Sequence, residues 1–174
     1  MFKKIQNIDN SILSSIAKLR TPILDKFMIF ITNLGSSGSV WLLFGLILLF
    51  IRGYRKKGAE IFVTVGLAAL MSESILKNII RRARPCDKDP YELLLIPRPS
   101  SYSFPSGHTT SSFATAYVVY KTFLELNCVF VALALFLAFL ISFSRLYLKV
   151  HYPSDVLAGI ILGIFCGLTV LRIF

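Results

Sequence analysis

The chain alternates between long apolar runs and short basic clusters, and the runs set the expected elements. From Gly35 to Ile51 no residue is charged, and SVWLLFGLILLFI reads as a first membrane span. A basic cluster follows at Arg52, Arg55, Lys56 and Lys57, and IFVTVGLAALMSESILKNII then forms a second span. The third begins at Gly107 and ends near Tyr120, the fourth runs from Leu126 to Ser144, and the fifth from Val156 to about Leu171. Some of these runs are shorter than the roughly 20 residues a bilayer core requires, so flanking polar residues belong at the membrane boundary.

The first 34 residues read differently. Asn10–Gly35 is apolar on one side but carries Lys18, Arg20, Asp25 and Lys26, a charge density too costly for a spanning helix. It is expected to lie at the interface as an amphipathic element, broken by Gly35-Ser36-Ser37-Gly38. The expected fold is therefore an all-α integral membrane bundle of about five transmembrane helices. Residues 1–34 form the interfacial segment and 35–174 the helical bundle of a single domain.

Composition agrees with a bilayer as solvent. Of the 174 residues, 55% are hydrophobic, and the mean hydropathy is +0.70. The formal charge of +10 comes from clusters between apolar runs, the placement seen in membrane proteins. That placement argues against nucleic-acid binding, which sets basic residues on a hydrophilic face. The cysteines, Cys86, Cys128 and Cys166, are odd in number and form no CxxC pair, so neither a disulfide framework nor a zinc site is expected. The polar start MFKKIQNIDNS has no apolar core of a signal peptide. The positive-inside rule puts the 52–57 cluster in the cytoplasm, and alternation then puts the 81–106 and 145–155 loops together on the opposite face. Lys3, Lys4 and Lys18 fall on that opposite face as well and run against the rule.

Three polar clusters share that face. Lys77 and Arg84 are seven residues apart, so both project from one side of the second span's end, and Pro85 stops the helix. An isolated pair of this kind also reads as cations snorkelling to the membrane boundary. In Pro105-Ser106-Gly107-His108, glycine allows close backbone approach and the starting helix offers free N–H groups to an anion. Thr109, Thr110, Ser111 and Ser112 could supply further donors, and His108 alone also reads as an interfacial cap. The third cluster runs from Ser144-Arg145 through His151 to Asp155, with Pro153 suited to the first turn of the fifth helix. A carboxylate one turn from His151 can accept from one ring nitrogen and leave the other aimed outward; it also reads as a residue complementing the helix dipole.

Asp155, Gly159, Gly163 and Gly167 recur every four residues and form a small-residue stripe that marks a close helix contact. Gly107, Ser111 and Thr115 form a similar one, so both histidines are expected to face one pocket. Cations, backbone donors, two histidines and a carboxylate match phosphoryl transfer: positive groups neutralise the equatorial oxygens, one histidine attacks and the other protonates the leaving oxygen. Metal-dependent chemistry needs several carboxylates, and this face offers few beyond Asp87, Asp89, Glu92 and Asp155. No metal and no cofactor is implied.

The sequence resembles the type 2 phosphatidic acid phosphatases, whose pattern is K-x6-RP, then PSGH, then SR-x5-H-x3-D. All three are present in order: Lys77 to Arg84-Pro85, Pro105 to His108, and Ser144-Arg145 to His151 to Asp155. The resemblance implies that His151 is the nucleophile forming a phosphohistidine, that Asp155 orients it, and that His108 protonates the leaving group. It implies that Lys77, Arg84 and Arg145 hold the phosphate with donors from Ser106 and Gly107, and that Ser144 is a further contact. With the two histidines in these roles, activity is expected to fall on both sides of an optimum in the histidine range. Six-span members have an additional apolar N-terminal span, which is not expected here. Family substrates include undecaprenyl diphosphate, phosphatidylglycerophosphate, phosphatidic acid and lipid A phosphates. The expected substrate is a lipid phosphate or diphosphate, first of all undecaprenyl diphosphate, met on the extracytoplasmic side of a bacterial cell membrane. A lipid phosphotransferase is the enzymatic alternative, and an anionic-lipid binder or transporter the non-enzymatic one. Arg81, Arg82, Lys88, Arg98 and Lys149 suit a diphosphate and an anionic headgroup equally.

Overall fold

Each helix starts and stops where the local chemistry requires. A computed structural model describes residues 2–88, 93–125 and 127–174; Asp89, Glu92 and Leu126, named above, lie outside the described residues. Helix α1 spans Phe2–Ala17. Thr21 caps α2 (Pro22–Leu34), its hydroxyl accepting from Leu24 N at 3.3 Å, with Pro22 in the first turn. The chain then turns through Ser37 and Gly38, both at positive φ, into α3 (Ser39–Phe50). A β-carbon on Gly38 would meet Val65 Cγ1 at 2.8 Å, so the turn requires glycine twice over, by conformation and by space.

Helix α4 (Arg55–Ala69) widens into a π-helical stretch at Leu70–Leu76 before α5 (Lys77–Ile80), and Arg81 at φ 50° ends the rod. Beyond a long loop come α6 (Gly107–Phe123), α7 (Cys128–Tyr147) and α8 (Pro153–Ile173). Asn127 caps α7, accepting from Phe130 N at 2.9 Å. Among the described residues the structure is all-helical, as the sequence led us to expect.

Among the described residues three segments are long and apolar enough to cross a membrane: Arg55–Asp87, Cys128–Tyr147 and Pro153–Ile173. A fourth results if the pair Pro22–Leu34 and Ser36–Phe50, bent by 48°, is one broken span. The Gly35–Gly38 break therefore bends an apolar path that already starts in α2. Helix α6, expected as the third span, has 17 residues and is rich in hydroxyls. It lies inside the bundle against α4, α7 and α8. Large apolar side chains such as Leu133, Phe136, Phe139, Ile161 and Phe165 are exposed on α7 and α8, the outward apolar surface a bilayer would cover.

The core joins Trp41, Ile61, Val65, Val118, Val119, Ala138 and Ile141, and Trp41 Nε1 donates to Ser112 Oγ at 2.9 Å. The tightest packing is between α6 and α8. A β-carbon on Gly159 would lie 2.9 Å from Ser106 O, one on Gly163 2.5 Å from Thr110 O, and one on Gly167 2.7 Å from Ala114 O. Sequence numbers rise together along both helices, so α6 and α8 run parallel and begin at the same end. At Gly163 the obstacle is backbone, which cannot rotate aside. Gly163→Leu is therefore expected to cost about 1–3 kcal/mol and to lower the detergent unfolding midpoint by roughly 5 °C. Gly66→Ala, where nothing lies within 4 Å of an added β-carbon, is expected to leave it unchanged; equal midpoints for the two variants would contradict this packing.

Candidate active site

The common start of α6 and α8 positions two histidines around a cavity of about 410 Å³. Lys77, Arg84 and Arg145 line it, as do Gly107, His108 and His151. Six of the nine residues expected at the site are thus brought to one space. The π-helical turn carries Lys77 inward, where it is almost fully buried.

His151 is oriented by its backbone surroundings. Nδ1 lies 2.7 Å from Ser103 O, so it carries the proton and donates. Nε2 is then unprotonated, and its lone pair accepts from Arg84 Nη1 at 3.1 Å on the cavity side. Arg84 also donates from Nε to Ser101 O and from Nη1 to Val150 O, each at 2.7 Å. It therefore ties the loop before α6 to the loop before α8.

Asp155 does not accept directly from His151, as the one-turn spacing had led us to expect. The separation from Nδ1 to Oδ2 is 3.7 Å. Oδ2 instead accepts from Ser103 Oγ at 2.5 Å and Tyr152 N at 2.8 Å, so the carboxylate acts on the histidine through Ser103. The reason is the long loop, which folds Ser103 between them.

Two expected contacts fall elsewhere. Ser106 N donates to Asp155 O at 3.2 Å and its hydroxyl accepts from Thr109 Oγ1 at 3.0 Å, so neither group faces the cavity. Ser144 turns back on its own helix, donating to Ile141 O at 2.6 Å. Both residues serve the framework because helix starts and ends consume short hydroxyls locally. Arg145 donates from Nη1 to Thr32 Oγ1 at 2.5 Å, which ties α7 to α2.

The sequence reading missed Glu73, Ser101 and Ser103. Glu73 binds Lys77 Nζ with both oxygens at 2.7 Å, and Ser101 Oγ accepts from the same ammonium at 3.1 Å. A β-carbon on Gly107 would collide with Glu73 Oε1, so this carboxylate rests against the first turn of α6. An anion thus already occupies the corner formed by Lys77 and a helix N-terminus, where a phosphate oxygen would bind. His108 Nε2 and Arg145 Nε are buried without a hydrogen-bond partner in the structure. Buried polar atoms are rarely left without a partner, and these two residues both line the cavity.

A bundle with an outward apolar surface and a cationic, histidine-bearing cavity at one end defines a helical membrane protein equipped to hold an anion. The chain belongs to the PAP2 superfamily, whose family model matches residues 57–174. It is 32% identical to phosphatidylglycerophosphatase B of Bacillus subtilis, over 92% of this chain and 80% of that protein. It is 31% identical to an undecaprenyl-diphosphatase of Sulfolobus acidocaldarius, over 80% of this chain and 66% of that protein, and so spans about two thirds of that relative. The crystal structure of Aquifex aeolicus LpxE superposes with a TM-score of 0.80 at 30% identity, covering 93% of each chain.

Burial pushes the His151 imidazole down to about 3, with Arg84 and Arg145 adding repulsion and Asp155 opposing it. The ring is therefore neutral at all pH values above that and takes a proton only below. The acid side of any activity profile due to His151 moves well below the histidine range in which we first placed it. Imidazole nitrogen NMR is expected to show no titration of His151 between about pH 5 and pH 8, the usual histidine window. A midpoint near 6.5, the ordinary histidine value, would contradict the buried site.

Proposed function

We propose that the protein hydrolyses phosphate esters of membrane lipids through a phosphohistidine on His151. The observation that carries this reading is the unprotonated Nε2 of His151 facing a cavity lined by Lys77, Arg84 and Arg145. In this reading the three cations and the α6 N-terminus neutralise the phosphoryl oxygens. Nε2 gives up its hydrogen bond from Arg84, whose guanidinium turns to the phosphoryl oxygens, and forms the N–P bond as the bond from phosphorus to the lipid oxygen breaks. His108, with its partnerless Nε2, delivers a proton to that oxygen. Water then attacks phosphorus as the N–P bond breaks, giving its proton back to His108, so that phosphate leaves and both imidazoles return to their starting states. Asp155 orients His151 by way of Ser103. An apolar groove of about 350 Å³ between Phe104, Pro105, Ala158, Ile161 and Phe165 offers room beside the site for part of a lipid chain.

The leading substrate is a polyprenyl diphosphate of the kind named for the archaeal relative. A glycerophospholipid monophosphate, as named for the B. subtilis relative, is the second reading, and one observation favours it. Of the five extra cations noted in the sequence, none lines the cavity. Arg82 turns to Asp9 and Asp155, Arg98 to Asp87, and Lys88 lies over the Tyr152 ring. The cradle therefore fits one phosphoryl group. We place the site on the extracytoplasmic side, on the support of the basic 52–57 cluster at the other end of the second span.

Phosphate release from purified lipid mono- and diphosphates in detergent tests the reading. Activity is expected to persist in EDTA, since protein cations neutralise the charge, and to be blocked by vanadate. His151→Ala is expected to lose at least about 10³-fold in kcat, the scale at which a nucleophile's removal is felt. Full turnover by that variant would end the phosphohistidine reading, and lipid phosphates formed in place of free phosphate would indicate a transferase.

A further inference from the structure

Asp155 is held from a direction that the three motifs do not contain. Its Oδ1 accepts from Arg82 Nη1 at 2.5 Å. Arg82 stands at an unspecified position of the K-x6-R pattern. Its other terminal nitrogen donates to Asp9 Oδ2 at 2.7 Å and Gln6 Oε1 at 3.1 Å, both on α1. Asp9 is itself buried and accepts from Ser154 N at 2.9 Å and Ser154 Oγ at 2.6 Å. The Arg82 guanidinium lies 4.0 Å above the Tyr152 ring. One guanidinium is thus clamped between α1, the loop ahead of α8 and the first turn of α8.

The geometry limits what Asp155 can do. With Oδ1 on Arg82, only Oδ2 is left for Ser103 Oγ and Tyr152 N, so the carboxylate plane is fixed. Ser103 is fixed in turn, and its carbonyl receives the Nδ1 proton of His151. A planar guanidinium binding two carboxylates by separate nitrogens is well suited to such positioning, and a lysine is not. Asp9 and Gln6 lie outside residues 57–174, the part matched by the family model.

We infer that α1 belongs to the reaction apparatus: Asp9 and Arg82 are positioning residues that set Asp155, and through Ser103 the orientation of His151. This inference rests on the proposed function for its kinetic consequences but not for its structural ones. The charged groups facing His151 are Asp155 on α8, Arg84 from the segment after α5, Arg145 on α7 and His108 on α6. Removing the charge of Arg82 leaves Asp155 free to stabilise an imidazolium, so proton uptake by His151 moves to higher pH. Removing Asp9 leaves Arg82 wholly to Asp155, so proton uptake does not rise.

The test compares Arg82→Gln, Arg82→Lys, Asp9→Asn and Asp9→Glu by kinetics, by imidazole NMR and by unfolding in detergent. Arg82→Gln is expected to lower kcat on the order of 10- to 100-fold, the loss typical of removing an outer partner of a reactive histidine, with KM little changed. It is also expected to raise the His151 titration by about 1–3 pH units, the effect of a neighbouring charge. Arg82→Lys is expected to keep the titration low but to lose kcat. Asp9→Asn is expected to lose kcat without an upward titration, and Asp9→Glu to recover most of it. A lower unfolding temperature with kcat and the His151 titration both at wild-type values would make Asp9 and Arg82 a structural clamp only and overturn the inference. If the wild-type protein turns over no lipid phosphate, the functional reading fails. The NMR titration of Arg82→Gln still decides this one, since an unmoved midpoint refutes it.

Discussion

Between α6 and α8 no side chain stands at Gly159, Gly163 or Gly167, and the two backbones meet there. Because the helices run parallel, their N-termini fall at the same end of the bundle. Two consequences follow from that one contact. The positive end of the α6 dipole faces the cavity, where Gly107 and His108 line it. The two starts become neighbours, and His151 is brought to the cavity that His108 lines by the loop that precedes α8. Ser106 N bonded to Asp155 O at 3.2 Å pins the starts together.

Around this pair the charges are arranged as a balanced cluster. Burying Lys77, Arg84 and Arg145 would be costly if each were left alone. Arg84 is therefore saturated by loop carbonyls, Arg145 leans on Thr32, and Lys77 is met by Glu73. The cations are held in place before any ligand arrives, so the reorganisation that an anion requires falls on Glu73, which holds Lys77. Glu73 is the mobile-looking member by accessibility, with nearly half its side chain exposed while Lys77 is buried. Its placement on a π-helical turn lets it reach the cradle from the side.

What the sequence disclosed was the part of the site written as fixed spacings. Lys77, Arg84, His108, Arg145, His151 and Asp155 sit at helix ends, where local rules and small-residue stripes locate them. Ser103 and Glu73 were not legible, because one lies in a loop without periodicity and the other reads as an ordinary polar residue of a span. The π-helical turn has no sequence mark at all. Arg82 was seen as a charge but not as a partner of Asp9, since 73 residues separate them and only the tertiary fold joins α1 to α8. Asp9 drew no attention in the polar start of the chain, although its carboxylate is one of the more deeply buried among the described residues. Ser106 and Ser144 show the reverse error: motif membership suggested ligand contact, and the framework uses them instead.

Helix α6 has a consequence for how the protein is made. Thr109, Thr110, Ser111, Ser112 and Thr115 are all buried on it, facing other helices. A segment so rich in hydroxyls gains little from lipid and is a weak candidate for independent insertion by hydropathy. The hydroxyls of Thr110 and Ser111 are satisfied by the helix's own backbone, and that of Ser112 by Trp41 on a neighbouring helix. Entry of α6 into the bilayer is therefore coupled to that of α4, α7 and α8. The helix whose start lines the cavity is a passenger of the helices around it, and assembly of the bundle and completion of the cavity become a single event.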